Sequence, residues 1–195
     1  MNERELTLAE HASQLGWEAH NASRSAGWWS NPDGTMKARN RAEMIALMMT
    51  EVVEMHRGVR SYGANTAMDE HLPHLPSAYV EAADFVIRVG DFVHGYGYDL
   101  GAMVNNMVER GAPETGLMGV ICALGDAVEA DRRGSLLLCC EYLARGVIIM
   151  DGFGRSFLSL STPRLFSIAR EKMAYNKQRA DHKMENRLKD GGKAY

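Results

Sequence analysis

Residues 43–97 hold two carboxylate pairs of one spacing, Glu51-x-x-Glu54 and Glu81-x-x-Asp84, each set in an apolar stretch with helical periodicity. Positions i and i+3 share a helix face about one turn apart. Four carboxylates on two facing helices repel one another unless positive charge stands between them. The pattern therefore asks for a helix pair and for divalent cations together.

The apolar residues around the pairs fix the helices. A helix over 36–57 buries Ile45, Met48, Val52 and Met55, which leaves Glu51 and Glu54 beside that stripe and facing the groove between helices. A second, over 77–94, buries Ala82, Phe85, Val86, Val89, Phe92 and Val93. Its other line, Glu81, Asp84, Arg88 and Asp91, advances by three, four and three and forms one polar ridge. Between them, 58–77 reads as a loop from Gly58, Gly63, Pro73 and Pro76. Gly95-Tyr96-Gly97 closes the second helix, and Asp99 opens another to about Arg110. Upstream, 5–22 is helical in pattern, with Thr7 and Glu10 spaced as a capping box. A loop with Trp28 and Trp29 follows; these rings either pack the end of the core or, with Trp17, offer a platform for a base.

Self-similarity extends the helix pair to a second copy. Residues 47–57 slide onto 122–132, placing Glu51 on Asp126, Glu54 on Glu129 and Arg57 on Arg132. Anchoring Gly95-Tyr96-Gly97 on Gly152-Phe153-Gly154 places Asp84 on Glu141 and Arg88 on Arg145, but Glu81 on Leu138. Leucine removes an oxygen ligand, so the second quartet is broken as a site for a hard cation. The expected architecture is all-α, a four-helix-bundle-like core of two tandem helix pairs with the second degenerate. Residues 1–195 then form one domain, in which 36–110 and 164–195 carry the site and 111–163 is the inserted repeat.

Hard cations such as Mg²⁺ or Mn²⁺ take oxygen ligands, retain water and are commonly completed by substrate phosphates. Four carboxylates from two helices suit two or more such ions. A di-iron bundle needs Glu-x-x-His pairs, whereas the i+3 partners here are Glu54 and Asp84. The opposite charge lies near the C-terminus. In a helix over 170–179, Lys172, Asn176 and Arg179 share a face, and a Gly191-Gly192-Lys193 tail follows. Such a cation–amide–cation ridge suits phosphate oxygens.

Composition narrows the partners. A net charge of -3 with no basic run among aromatics gives no reason to expect nucleic acid. The longest apolar runs fall short of the roughly 20 residues of a membrane span, and the first residues lack the apolar core of a signal peptide. Cys122, Cys139 and Cys140 include an adjacent pair and no C-x-x-C, so reduced cysteines in a helical core are expected, and with them a soluble cytoplasmic protein.

With these residues in place, the chain resembles the all-α nucleoside triphosphate pyrophosphohydrolases, the MazG and dimeric dUTPase superfamily. The resemblance rests on E-x-x-E, a 26-residue gap and E-x-x-D, and on Asp69-Glu70-His71-Leu72-Pro73, EAADFVIRVGD at 81–91 and KMAYNKQRADHK at 172–183 before GGKAY. It covers about 36–110 and 164–195; the 111–163 segment departs from it. The resemblance implies hydrolysis of a nucleoside triphosphate to the monophosphate and pyrophosphate. It implies Mg²⁺ on Glu51, Glu54, Glu81 and Asp84, with Glu51 also as base for the attacking water. It further implies Lys172, Asn176, Arg179 and Lys193 on phosphate oxygens, and His71, Tyr175, Trp28 or Trp29 toward the nucleoside. A homo-oligomer, dimer or tetramer, is expected where helix pairs need partners. The competing reading is a nucleotide-binding or helical assembly module that kept the fold and lost catalysis.

Overall fold

The computed structural model describes residues 5–31, 33–62, 67–110 and 116–179. Among them are seven α-helices: α1 Leu8–Ser25, α2 Arg41–Tyr62, α3 Ser77–Gly95, α4 Leu100–Glu109, α5 Leu117–Arg132, α6 Leu136–Phe157 and α7 Thr162–Gln178. The only β contacts among the described residues are two isolated bridges, Ser30 with Met36 and Met68 with Pro76. The protein is all-α as expected, and no helix among the described residues is long and apolar enough to cross a membrane.

Helix ends follow local chemistry. Thr7 caps α1 through a capping box: its hydroxyl accepts from the Glu10 N–H, and the Glu10 carboxylate accepts from the Thr7 N–H at 2.8 Å. α2 starts five residues later than its periodicity suggested. Residues 36–37 are held against the preceding loop, with the Lys37 N–H on the Trp29 carbonyl at 3.0 Å, and Asn40 accepts from the Glu43 N–H at 3.3 Å. α2 also runs past Gly58 to Tyr62, because an internal glycine weakens a helix without ending it. Asp99 caps α4 by accepting from the Ala102 N–H at 2.7 Å. α7 begins well before 170, at Thr162, with proline in its first turn.

α3 is the hub, packed against α1, α2, α6 and α7. Val80, Phe85, Val86, Val89, Phe92 and Val93 are all fully buried on it, which is why its apolar surface is wider than a single stripe. α6 packs on α5, α4, α3 and α7, and α2 lies against α5. Arg41 of α2 donates to Asp131 of α5 at 2.5 Å across that last contact. α1 crosses α3 where Gly16 meets Gly90. A Cβ on Gly90 would lie 2.9 Å from the Gly16 Cα, so both positions must lack side chains for the helices to meet. Cys139 and Cys140 are buried, and burial pushes their thiols up to about 12. Cys122 departs from the expected core placement, being exposed on α5.

Candidate metal centre

Three of the four carboxylates converge. Glu51 of α2 and Glu81 and Asp84 of α3 each offer an oxygen, and these oxygens lie within 4.8 Å of one another. Among the described residues no other group of carboxylate, histidine or cysteine side chains is so arranged. Glu51 is only 5 % exposed. Glu54, one turn on, is exposed and stands at the rim instead of inside the cluster. Three residues along a helix fall about 60° short of a full turn, enough here to carry Glu54 out of the groove.

Two cations meet the cluster. Arg88, one turn beyond Asp84 on α3, donates through Nε to Glu51 Oε1 at 2.6 Å. Lys172 of α7 places Nζ 3.2 Å from Asp84 Oδ2 and is itself 5 % exposed. The remaining charge is settled by protonation. Burial, reinforced by the charges of Asp84 and Glu51, pushes the Glu81 carboxyl up to about 9. Burial raises Asp84 to about 6 in spite of Lys172, and burial followed by the Glu51 charge raises Glu54. Carboxylates this reluctant to ionise together form an electrostatically hungry site. Divalent ions binding oxygen at about 2.0–2.6 Å fit between donors at this separation. The donor set is all oxygen and suits a hard cation such as Mg²⁺ or Mn²⁺.

The loop before α3 and the end of α7 form the surroundings. Asp69 is buried and accepts from the N–H groups of His71 at 2.9 Å and Leu72 at 2.8 Å, which sets the loop's shape. His71 then lies with its ring 5.3 Å from that of Tyr175, and His74 pairs with Glu171 at 2.7 Å. His71 and Tyr175 are thus brought together beside Lys172. Asn176 Oδ1 is buried and has no hydrogen-bond partner. The expected Lys172–Asn176–Arg179 ridge on one helix is corrected in two respects. Lys172 points inward to Asp84, and Arg179 lies just past α7 in extended backbone. Lys193 lies outside the described residues.

The tryptophans separate. Trp29 is 2 % exposed, donates through its indole N–H to Asp91 at 2.8 Å and meets His20 and Tyr96 edge-on. It is spent on packing, and a base has no face of it to stack on. Trp28 is half-buried, with the Arg39 guanidinium 6.0 Å from its ring. Trp17 is exposed on α1. Asp91 also leaves the polar ridge: it accepts from Ser23 at 2.8 Å and pairs with His20 at 3.1 Å, both on α1. Residue spacing placed it in line with Glu81, Asp84 and Arg88, but α1 covers that end of α3.

On α5 and α6 the carboxylates that align in sequence with the first quartet have arginine partners. Arg110 grips buried Glu141 through two bonds, 2.7 and 2.9 Å. Arg132 and Arg133 hold Glu129, and Arg145 lies 3.7 Å from Asp126. Leu138 is exposed. Two residues that matter to the site went unassigned in the sequence, Arg88 as the partner of Glu51 and Asp69 as the shaper of the His71 loop. The signal for Arg88 was present in the i, i+3, i+7 series it forms with Glu81 and Asp84. No protein-family model, curated protein or solved structure matches this chain.

Proposed function

We propose that the protein is a Mg²⁺-dependent nucleoside triphosphate pyrophosphohydrolase of the MazG-like all-α type, cleaving a (d)NTP to the monophosphate and pyrophosphate. The observation that carries the reading is the convergence of Glu51, Glu81 and Asp84 within 4.8 Å beside Lys172, which is contributed by the very segment that resembles the family's C-terminal motif. Bound ions would supply charge neutralisation of the triphosphate and a water acidified for attack at the α-phosphorus. The chain's own residues do the rest. Glu51, Glu81 and Asp84 would hold the cations, with Glu54 at the rim for a further one. Glu51 is placed to take the water's proton. Lys172, with Asn176 behind it, meets charge that shifts to the leaving pyrophosphate. His71 and Tyr175 border the nucleoside side, whereas Trp28 sits beside Trp29 toward the Gly95 end of α3. Catalysis of this kind is positioning and electrostatics, which a rigid helix pair supplies.

The tandem reading of the core belongs to this proposal. It is supported by α2 packing on α3 and α5, by α6 packing on α5 and α3, and by the matched pairs Glu51–Arg88 and Asp126–Arg145. In that arrangement the second helix pair occupies the place a partner subunit fills in a homo-oligomer.

One observation favours a second reading. Arg88 and Lys172 already neutralise Glu51 and Asp84, as they would in a module that binds nucleotide without turning it over. A panel of the eight common (d)NTPs with Mg²⁺ or Mn²⁺ and product identification separates the two. Pyrophosphate released from one or more, and lost in Asp84→Asn by a factor of at least about 100, supports the enzyme. Tight binding with no product from any supports the module, and an Asp84→Asn protein that releases pyrophosphate as fast as wild type removes the acidic trio as the catalytic site.

A further inference from the structure

We propose that Arg88 is a positioning residue of the metal centre, its guanidinium fixing the Glu51 carboxylate in the direction that lets it share a cation with Glu81 and Asp84. The inference rests on the metal reading of the site given above.

Glu51 arrives from α2, whereas its two partners in the cluster are on α3. Nothing in one helix fixes the rotamer of a long side chain on the other. Arg88 spans that gap. It stands on α3 a turn beyond Asp84 and bonds Glu51 Oε1 at 2.6 Å. A hydrogen bond from a planar donor to one carboxylate oxygen restricts where the second oxygen can point. Outer partners that orient a ligand in this way typically contribute strongly to affinity.

The second half of the chain supplies an internal comparison. Arg145 and Asp126 occupy the corresponding positions on α6 and α5, where Leu138 replaces the glutamate and no acidic trio forms. There the pair is loose, 3.7 Å apart, with the Asp126 side chain 51 % exposed. In the first half the separation falls to 2.6 Å, and the Glu51 side chain is 6 % exposed. A clasp between helices needs neither the burial nor the short bond, since exposed pairs hold helices together as loosely as Arg145 and Asp126 do. Arg110 and buried Glu141 make a two-bond pair where no trio forms, so what sets the Arg88 contact apart is that its carboxylate, Glu51, also belongs to the trio with Glu81 and Asp84. The contact is therefore suited to orienting Glu51 and not merely to joining α2 to α3.

The test measures Mn²⁺ binding without nucleotide, by the loss of the free-ion electron paramagnetic resonance signal. It compares wild type with Arg88→Met, Arg88→Lys and Arg145→Met, each checked for folding by circular dichroism. Arg88→Met is expected to weaken Mn²⁺ binding by about 10-fold or more. Arg88→Lys, which keeps the charge but lacks the planar fork, falls between Arg88→Met and wild type. Arg145→Met binds as wild type. A folded Arg88→Met protein with wild-type affinity overturns the inference, as does an Arg145→Met protein weakened equally. Should Arg88→Met fail to fold, wild-type affinity in Arg88→Lys overturns it too, because charge alone would then suffice. A wild-type protein that binds no Mn²⁺ removes the metal reading of the site and this inference with it.

Discussion

Burial and the charges of Asp84 and Glu51 keep the Glu81 carboxyl protonated up to about 9, whereas an unfolded chain ionises it in the ordinary glutamate range near 4.3. Between those values the folded state binds more protons than the unfolded one, so stability falls as pH rises. Asp84, raised to about 6, adds to the same slope at its lower end. In a metal chelator the melting temperature should therefore decline from about pH 5 to about pH 9, and Glu81→Gln should remove most of that decline. An equal slope in the variant would show that Glu81 is not its source. Mg²⁺ should raise the melting temperature more at the alkaline end, where its ligands are closer to deprotonation. Equal spacing on two facing helices names a quartet, and three of its members, Glu51, Glu81 and Asp84, converge. It could not place Glu54 or Asp91, because whether a polar residue at the edge of a stripe meets the groove depends on which helix covers that end. α1 covers Asp91 and draws it to His20, Ser23 and Trp29, contacts at sequence separations no periodicity encodes.

At the level of elements, the contact between α1 and α3 depends on two glycines. Gly90→Ala introduces a Cβ 2.9 Å from backbone of Gly16, which no side-chain rotation relieves, so α1 must move off α3. A loss of about 1–3 kcal/mol is expected for such overpacking, measured by urea unfolding. Gly125 on α5 is the counterexample, with nothing within 4 Å of a Cβ built there. Gly125→Ala should raise stability by about 0.5–1 kcal/mol through the helix propensity alone. If both variants shifted stability the same way, close approach would not be what Gly90 provides. The helices themselves were legible from their apolar periodicity, and the Thr7 and Asp99 caps from residue type. Boundaries were not. Gly58 reads as a breaker but is carried inside α2, where packing against α3 outweighs its intrinsic cost. The start of α7 at Thr162 was hidden because a proline early in a helix and a proline that ends one look alike in sequence.

Across the whole molecule the packed helices α2 and α3 differ from α5 and α6 in what answers their negative charge. In the second, arginines from the chain pair with Asp126, Glu129 and Glu141. In the first, Arg88 and Lys172 offset two of the three carboxylates and a proton on Glu81 offsets the third. Among the described residues the α2–α3 trio thus holds part of its negative charge with a proton, which a bound cation can displace. This asymmetry separates stability from binding. Glu141→Gln keeps one acceptor for Arg110 but turns the other into a donor facing the guanidinium and removes the pairing charge, so it should lower the melting temperature. It should leave Mn²⁺ affinity and turnover as in wild type, because Glu141 takes no part in the acidic trio. Glu81→Gln should do the reverse, abolishing Mn²⁺ binding while sparing or raising the melting temperature at pH 8, since the amide removes a buried group that resists ionisation. Melting curves and Mn²⁺ titrations on the two variants check both halves of the expectation. Loss of binding in Glu141→Gln would mean that the second pair contributes to the site after all, and that the arginine-paired half is more than scaffold.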